Sequence, residues 1–153
     1  MKLINKYKVY VIFVLITIII GFLAGLVVEN NIDTYNKLEK SIFTPPHYLF
    51  FIIWIKLYVL MSIGAAIIYE AKSNKGLIIY AVQLMVNFSW SFFFFEYKTY
   101  FFSFLWIILL ILLVIIMIVK FYHVNKKAAY LQIPYLLWLF LAAYLNFVIY
   151  LLN

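Results

Sequence analysis

The sequence predicts an all-α membrane protein, a bundle of five transmembrane helices forming a single domain over residues 1–153. Three observations predict it. Five predominantly apolar runs, at about 9–28, 46–69, 77–95, 100–120 and 129–151, are each long enough to cross hydrocarbon as a helix. Hydrophobic residues make up 69% of the chain and charged residues 11%, which excludes an ordinary soluble domain. All five acids, Glu29, Asp33, Glu39, Glu70 and Glu96, fall in the loops or at the ends of the runs.

Every cationic side chain is a lysine. Lys2, Lys6, Lys8, Lys72, Lys75, Lys120, Lys126 and Lys127 fall on one side of a five-span chain, against Lys37, Lys40 and Lys98 on the other. The positive-inside rule then predicts a multi-pass cell-membrane protein with a cytoplasmic N-terminus and with loop 29–46 and the C-terminus outside. The excess charge suits anionic lipid, so the lipid bilayer is an expected partner and nucleic acid is not. With no cysteine, thiolate metal sites and thiol nucleophiles are unavailable.

Span 1 lacks a small-residue cleavage site before Glu29 and is read as retained. Its Gly21 and Gly25 have the G-x-x-x-G spacing that lets helices approach closely, within the chain or between copies. Residues 29–46 form the longest loop, read either as a solvated linker or as a lid weighted by Leu38 and Phe43. Thr44-Pro45-Pro46 opens span 2, with Thr44 as a capping candidate.

In span 2, Trp54, Tyr58 and Ser62 recur every four residues on one face, while Lys56 lies nearly opposite and is expected to snorkel. Span 3 carries Gln83, Asn87, Trp90 or Ser91, and Phe94 on a mixed face. Amides there serve either interhelical hydrogen bonds or a ligand. Span 4 is nearly all aliphatic and promises packing rather than chemistry. Span 5 aligns Tyr135, Trp138, Ala142 and Asn146, which places rings, a small gap and an amide on one face.

No buried carboxylate is available to relay protons, so proton-coupled transport is disfavoured. His47 and His123 lie in loops on opposite sides, and no metal site is expected. What remains is three aromatic faces, Trp54/Tyr58, Asn87/Trp90 and Trp138/Ala142/Asn146. Such walls suit a flat, largely apolar small molecule with a few polar edges.

The motifs Tyr35-x-x-Leu38-x-Lys40, Thr44-Pro45-Pro46, Trp54-x-x-x-Tyr58, Gln83-Leu84-x-x-Asn87-x-x-Trp90-Ser91-x-x-Phe94-Phe95, Pro134-Tyr135-x-x-Trp138 and Ala142-x-Tyr144-Leu145-Asn146 follow one another over nearly the whole chain. In this they resemble the tryptophan-rich sensory protein, or translocator protein (peripheral-type benzodiazepine receptor), family. The resemblance implies a five-helix bundle, often a homodimer. It also implies a pocket for porphyrins such as protoporphyrin IX and haem, and for benzodiazepine-site ligands, with a role in tetrapyrrole or stress regulation. No cofactor is required; porphyrin would be ligand or substrate. The implied ligand-binding set is Tyr35, Trp54, Tyr58, Gln83, Asn87, Trp90, Phe94, Trp138, Ala142 and Asn146. If the protein degrades porphyrin under light, Trp54 and Trp138 would be catalytic, since an excited porphyrin can oxidise a stacked indole. No conventional catalytic motif is present, and a structural or transport-assisting bundle is the third reading. Two departures stand out: Thr34 occupies the position of a usual loop tryptophan, and Ser41 follows Lys40 where the family has proline. Nothing basic follows Tyr144 or Tyr150, so cholesterol transport is not expected.

Overall fold

A computed structural model describes residues 2–153, with side chains described from Tyr7 onward, so the Lys2 and Lys6 side chains counted above lie outside the described residues. Seven α-helices run in the order α1 (Lys2–Asn30), α2 (Ile32–Lys37), α3 (His47–Glu70), α4 (Asn74–Ser91), α5 (Tyr100–Val124), α6 (Lys126–Tyr130) and α7 (Ile133–Leu152). A π-helical turn, Phe92–Glu96, extends α4. Five stretches of the described residues are long and apolar enough to cross a membrane: Tyr7–Asn30, His47–Glu70, Asn74–Glu96, Tyr100–Val124 and Lys126–Leu152. This is the five-helix membrane bundle that the sequence predicts.

Helix α1 lies against α3 and α4, and α5 lies against α4, α6 and α7. The core runs between them through Met61, Ala65, Leu110, Val114, Met117, Tyr135 and Leu139. In hydrocarbon the apolar outer faces gain little by turning inward, so small residues and polar bonds decide the packing. Gly21 is one such residue: a Cβ there would fall 2.3 Å from Cε2 of Tyr58, so α1 can meet α3 only through glycine. Gly25, four residues on, faces open space, so only half of the G-x-x-x-G pair serves this contact. Gly64 plays the same part against α6 and α7, where a Cβ would lie 2.1 Å from Nε2 of Gln132.

The stretch read as one long loop is partly helical. Helix α2 follows α1 after a break at Asn31, with Asp33 in its first turn and Lys37 in its last, both favourable to the helix dipole. Thr44 does not cap α3: Pro46 occupies the N-cap, and the Thr44 hydroxyl is buried with no hydrogen-bond partner among the described residues. The fifth span is broken between α6 and α7, because Pro134 in the first turn of α7 cannot continue the preceding ladder. Asn125 caps α6 through its side chain, accepting from the backbone N–H groups of Lys127 and Ala128 at 2.9 and 3.2 Å. Lys56 is exposed on the outer face of α3, directed away from the core.

Candidate functional site

The stripe of α7 is buried as its period requires: Tyr135, Ala142 and Asn146 are in the core and Trp138 is half-buried beside them. Facing it, Trp54 of α3 meets Trp138 edge to face, with ring centroids 6.5 Å apart and planes at 90°. Trp54 also touches Tyr58 at 5.5 Å and Tyr135 at 6.2 Å. Phe50, one turn before Trp54, packs on Trp138 at 5.2 Å. The Nε1 proton of Trp138 is buried with no partner among the described residues.

The amides of α4 bond within the protein. Tyr58 donates to Oδ1 of Asn87 at 2.9 Å, Nδ2 of Asn87 donates to the Tyr135 hydroxyl at 2.8 Å, and that hydroxyl donates to Oε1 of Gln83 at 3.1 Å. This chain of polar groups joins α3, α4 and α7 in a setting where each unpaired group is costly. Nearby, Nε1 of Trp90 donates to Oδ1 of Asn146 at 3.1 Å, and Nδ2 of Asn146 donates to the Tyr100 carbonyl at 2.8 Å.

Two hollows flank these contacts. The outer one, about 50 Å³, is walled by Tyr35, Pro45, His47, Phe50, Trp90, Phe94, Phe95, Ala142 and Asn146, with Val28, Leu145 and Ile149 completing it. The inner one, about 10 Å³, is walled by Trp54, Asn87, Trp90, Ile107, Leu110, Leu139 and Ala142. Trp90 and Ala142 form the wall common to both. Of the residues expected from sequence, Tyr35, Trp90, Phe94, Ala142 and Asn146 line the outer hollow, and Trp54 and Asn87 the inner. Tyr58 and Gln83 line neither, their polar ends being spent on Asn87 and Tyr135. Trp138 stands one layer back, behind Phe50 and Trp54.

The sequence reading missed Phe50, Phe95 and the two aliphatic walls from α5. Phe50 had a signal, since the Trp54/Tyr58/Ser62 stripe carried back four residues reaches it. Phe95 had none. The π-turn widens the helix so that the neighbours Phe94 and Phe95 are both buried: Trp90 stacks on Phe94 at 5.2 Å and meets Phe95 edge-on at 5.9 Å. Ile107 and Leu110 show that the aliphatic α5 also contributes to the site.

Helix α2 and the segment after it pack against this end of the site. The Tyr35 ring packs on Phe94 and Phe95 at 6.2 and 5.6 Å. Lys40 folds back, with Nζ donating to the carbonyls of Tyr35 at 2.7 Å and Leu38 at 3.1 Å and lying 4.7 Å from the Tyr35 ring centre. Burial raises the Tyr35 phenol above its usual range and lowers the Lys40 ammonium. Asn153 fastens the same segment to the end of α7: its amide accepts from the Glu39 N–H and donates to the Glu39 carbonyl, each at 3.0 Å. The segment is therefore held against the end of α7, and it contributes Pro45 to the wall of the outer hollow.

Known proteins resemble this chain over most of its length. The "Tryptophan-rich protein TspO" of Archaeoglobus fulgidus is 37% identical over 144 residues, covering 92% of this chain and 94% of that protein. The "Translocator protein" of Sus scrofa is 31% identical over 147 residues, covering 90% and 86%. The "Protein CrtK" of Rhodobacter capsulatus is 36% identical over 124 residues, covering 78% of each. The TspO/MBR family model matches residues 13–152, which takes in both hollows and the segment after α2, and the chain belongs to that family.

Proposed function

We propose that this protein is a receptor-like binder of flat, largely apolar tetrapyrroles, protoporphyrin IX and haem among them, and of benzodiazepine-type ligands, and that it serves tetrapyrrole or stress regulation. The observation that carries this reading is the outer hollow: aromatic rings along its walls, a small residue, Ala142, among them, and Pro45 of the loop beside α3. Ring stacking and apolar burial supply affinity for a planar ligand, with few polar contacts needed to orient it. In its closed form the hollow is far below the roughly 300 Å³ that drug-sized ligands occupy, so binding requires the segment 38–46 to lift. The orientation follows the lysine count, with the N-terminus cytoplasmic and the mouth outside in the cell membrane, and the protein works as a homodimer.

A second reading has its own support. Trp54 and Trp138 form a touching indole pair behind the hollow. Under light, an electron passing from an indole to an excited porphyrin would leave an indole radical cation and a porphyrin radical anion, with dioxygen as the oxidant that completes porphyrin loss. The purified chain, titrated with protoporphyrin IX in the dark, should show saturable tryptophan quenching that weakens in Trp54→Phe and Trp138→Phe. Unchanged affinity in both variants would move the site elsewhere, and absence of saturation in wild type would remove the binding reading. Irradiation decides the second reading: lasting spectral loss that needs both indoles supports degradation, and an unchanged spectrum excludes it.

A further inference from the structure

Helix α3 is covered unevenly. From Leu57 to Ile68 no side chain is exposed, whereas Tyr48, Leu49, Phe51, Ile52, Ile55 and Lys56 all are, so an open strip begins at the His47 end and stops at Lys56. The apolar members of the strip suit lipid tails. The lysine does not. Lys56 lies about 14 Å along the axis from His47 in a helix about 36 Å long, so it is rooted within about one turn of the helix middle. It has no hydrogen-bond or ion-pair partner among the described residues.

A charge at that depth calls for a counter-charge. A second copy of the chain has none to give there, because Glu29, Asp33, Glu39, Glu70 and Glu96 all fall in loops or at span ends. Helical side chains lean toward the N-terminus, so Lys56 leans toward the His47 end, and a stem of about 6 Å brings its ammonium to within about 5 Å of the hydrocarbon edge. Near the head of the strip Tyr48 is 68% exposed, at the level where phenols meet lipid headgroups.

We propose that this strip of α3 binds one anionic phospholipid of the leaflet at the His47 end, with the headgroup phosphate drawn in to Lys56 below Tyr48 and the acyl chains against Ile52 and Ile55. Net charge selects the lipid. A zwitterionic headgroup brings its own cation beside the phosphate, whereas a phosphatidylglycerol-type headgroup brings a net negative charge that cancels the ammonium.

Native mass spectrometry of the full chain in detergent micelles, titrated separately with phosphatidylglycerol and phosphatidylcholine of matched acyl chains, counts the bound lipid. Wild type, Lys56→Gln, Lys56→Arg and Lys37→Gln are compared, Lys37 being an exposed lysine on the same side of the bundle. Wild type should bind the first phosphatidylglycerol about fivefold more tightly than phosphatidylcholine. That preference should persist in Lys56→Arg and Lys37→Gln, vanish in Lys56→Gln, and resist competition by glycerol phosphate in solution. Lys56→Gln removes a charge from hydrocarbon and should melt no lower than wild type, which separates loss of the lipid from loss of the fold. Equal affinity of wild type for the two lipids would overturn the proposal, as would an unchanged preference in Lys56→Gln or displacement of the lipid by glycerol phosphate. A smaller dimer population in Lys56→Gln, or loss of a co-purifying membrane protein, with lipid binding unaltered would assign the lysine to a protein contact and overturn it too.

Discussion

Trp54 and Trp138 stand perpendicular, ring centroids 6.5 Å apart, with Phe50 closing on Trp138 from the outer side at 5.2 Å. Both indoles are half-buried, and neither is the first surface a ligand in the outer hollow would meet. Trp90, Phe94 and Tyr35 come first. The indole pair is thus a second layer, and on the proposed reading its influence on binding would pass through Phe50 and Trp90.

The two glycines of α1 should respond differently to alanine. Gly21→Ala forces the Tyr58 ring aside and should cost about 1–3 kcal/mol. Gly25→Ala meets nothing within 4 Å and should be neutral or slightly stabilising through better helix propensity. Unfolding titrations in mixed micelles compare the two; equal effects would place α1 differently against α3.

The buried polar chain should carry a measurable share of stability. Tyr135→Phe leaves Nδ2 of Asn87 and Oε1 of Gln83 without their partner and should cost about 1–3 kcal/mol. The same unfolding titration reads it. An unshifted midpoint would mean that these amides find other partners.

Two lysines hold backbone conformations that glycine tolerates better. Lys72 has φ 56° and Lys98 φ 55°, each in the turn after a spanning helix. Lys72→Gly and Lys98→Gly should each stabilise by about 1 kcal/mol, because the left-handed region costs a residue with a Cβ about that much. Thermal melts in detergent check this, and a lowered melting temperature in both would count against the turn geometry.

The Glu39–Asn153 pair should govern entry to the hollow. Asn153→Ala removes the two Glu39–Asn153 hydrogen bonds and leaves the Ser41–Tyr144 hydroxyl contact as the loop's remaining side-chain bond to α7. Stopped-flow mixing with protoporphyrin IX should show association severalfold faster than in wild type, since about 1–2 kcal/mol of closing interaction is lost. An unchanged association rate would mean that ligand enters by another route.

The five spans and the inward faces were legible in the sequence because membrane helices must be apolar over a fixed length and polar residues within them need partners. That logic puts Trp54, Asn87, Ala142 and Asn146 on inward faces, and Asn87, Ala142 and Asn146 are buried there with Trp54 half-buried. It left open what the amides do, and their use is mutual: Tyr58, Asn87, Tyr135 and Gln83 satisfy one another across three helices. The π-turn at Phe92–Glu96 was illegible, because a run of four phenylalanines carries no periodicity. Helix α2 was masked by polar residues that read as loop, and the segment after it is tied down by Asn153, 114 residues away from Glu39, which no local pattern connects to it.

The central claim is that a planar ligand occupies the hollow between α3, the π-turn and α7. Ala142 backs both hollows, so Ala142→Phe fills that space with a ring while adding apolar packing. A titration of protoporphyrin IX against wild type and Ala142→Phe, with melting curves for both, tests the claim most directly. Saturable binding in wild type, weakened by about tenfold or more in a variant that melts no lower, is the predicted result. Wild-type affinity in a well-folded Ala142→Phe would contradict it.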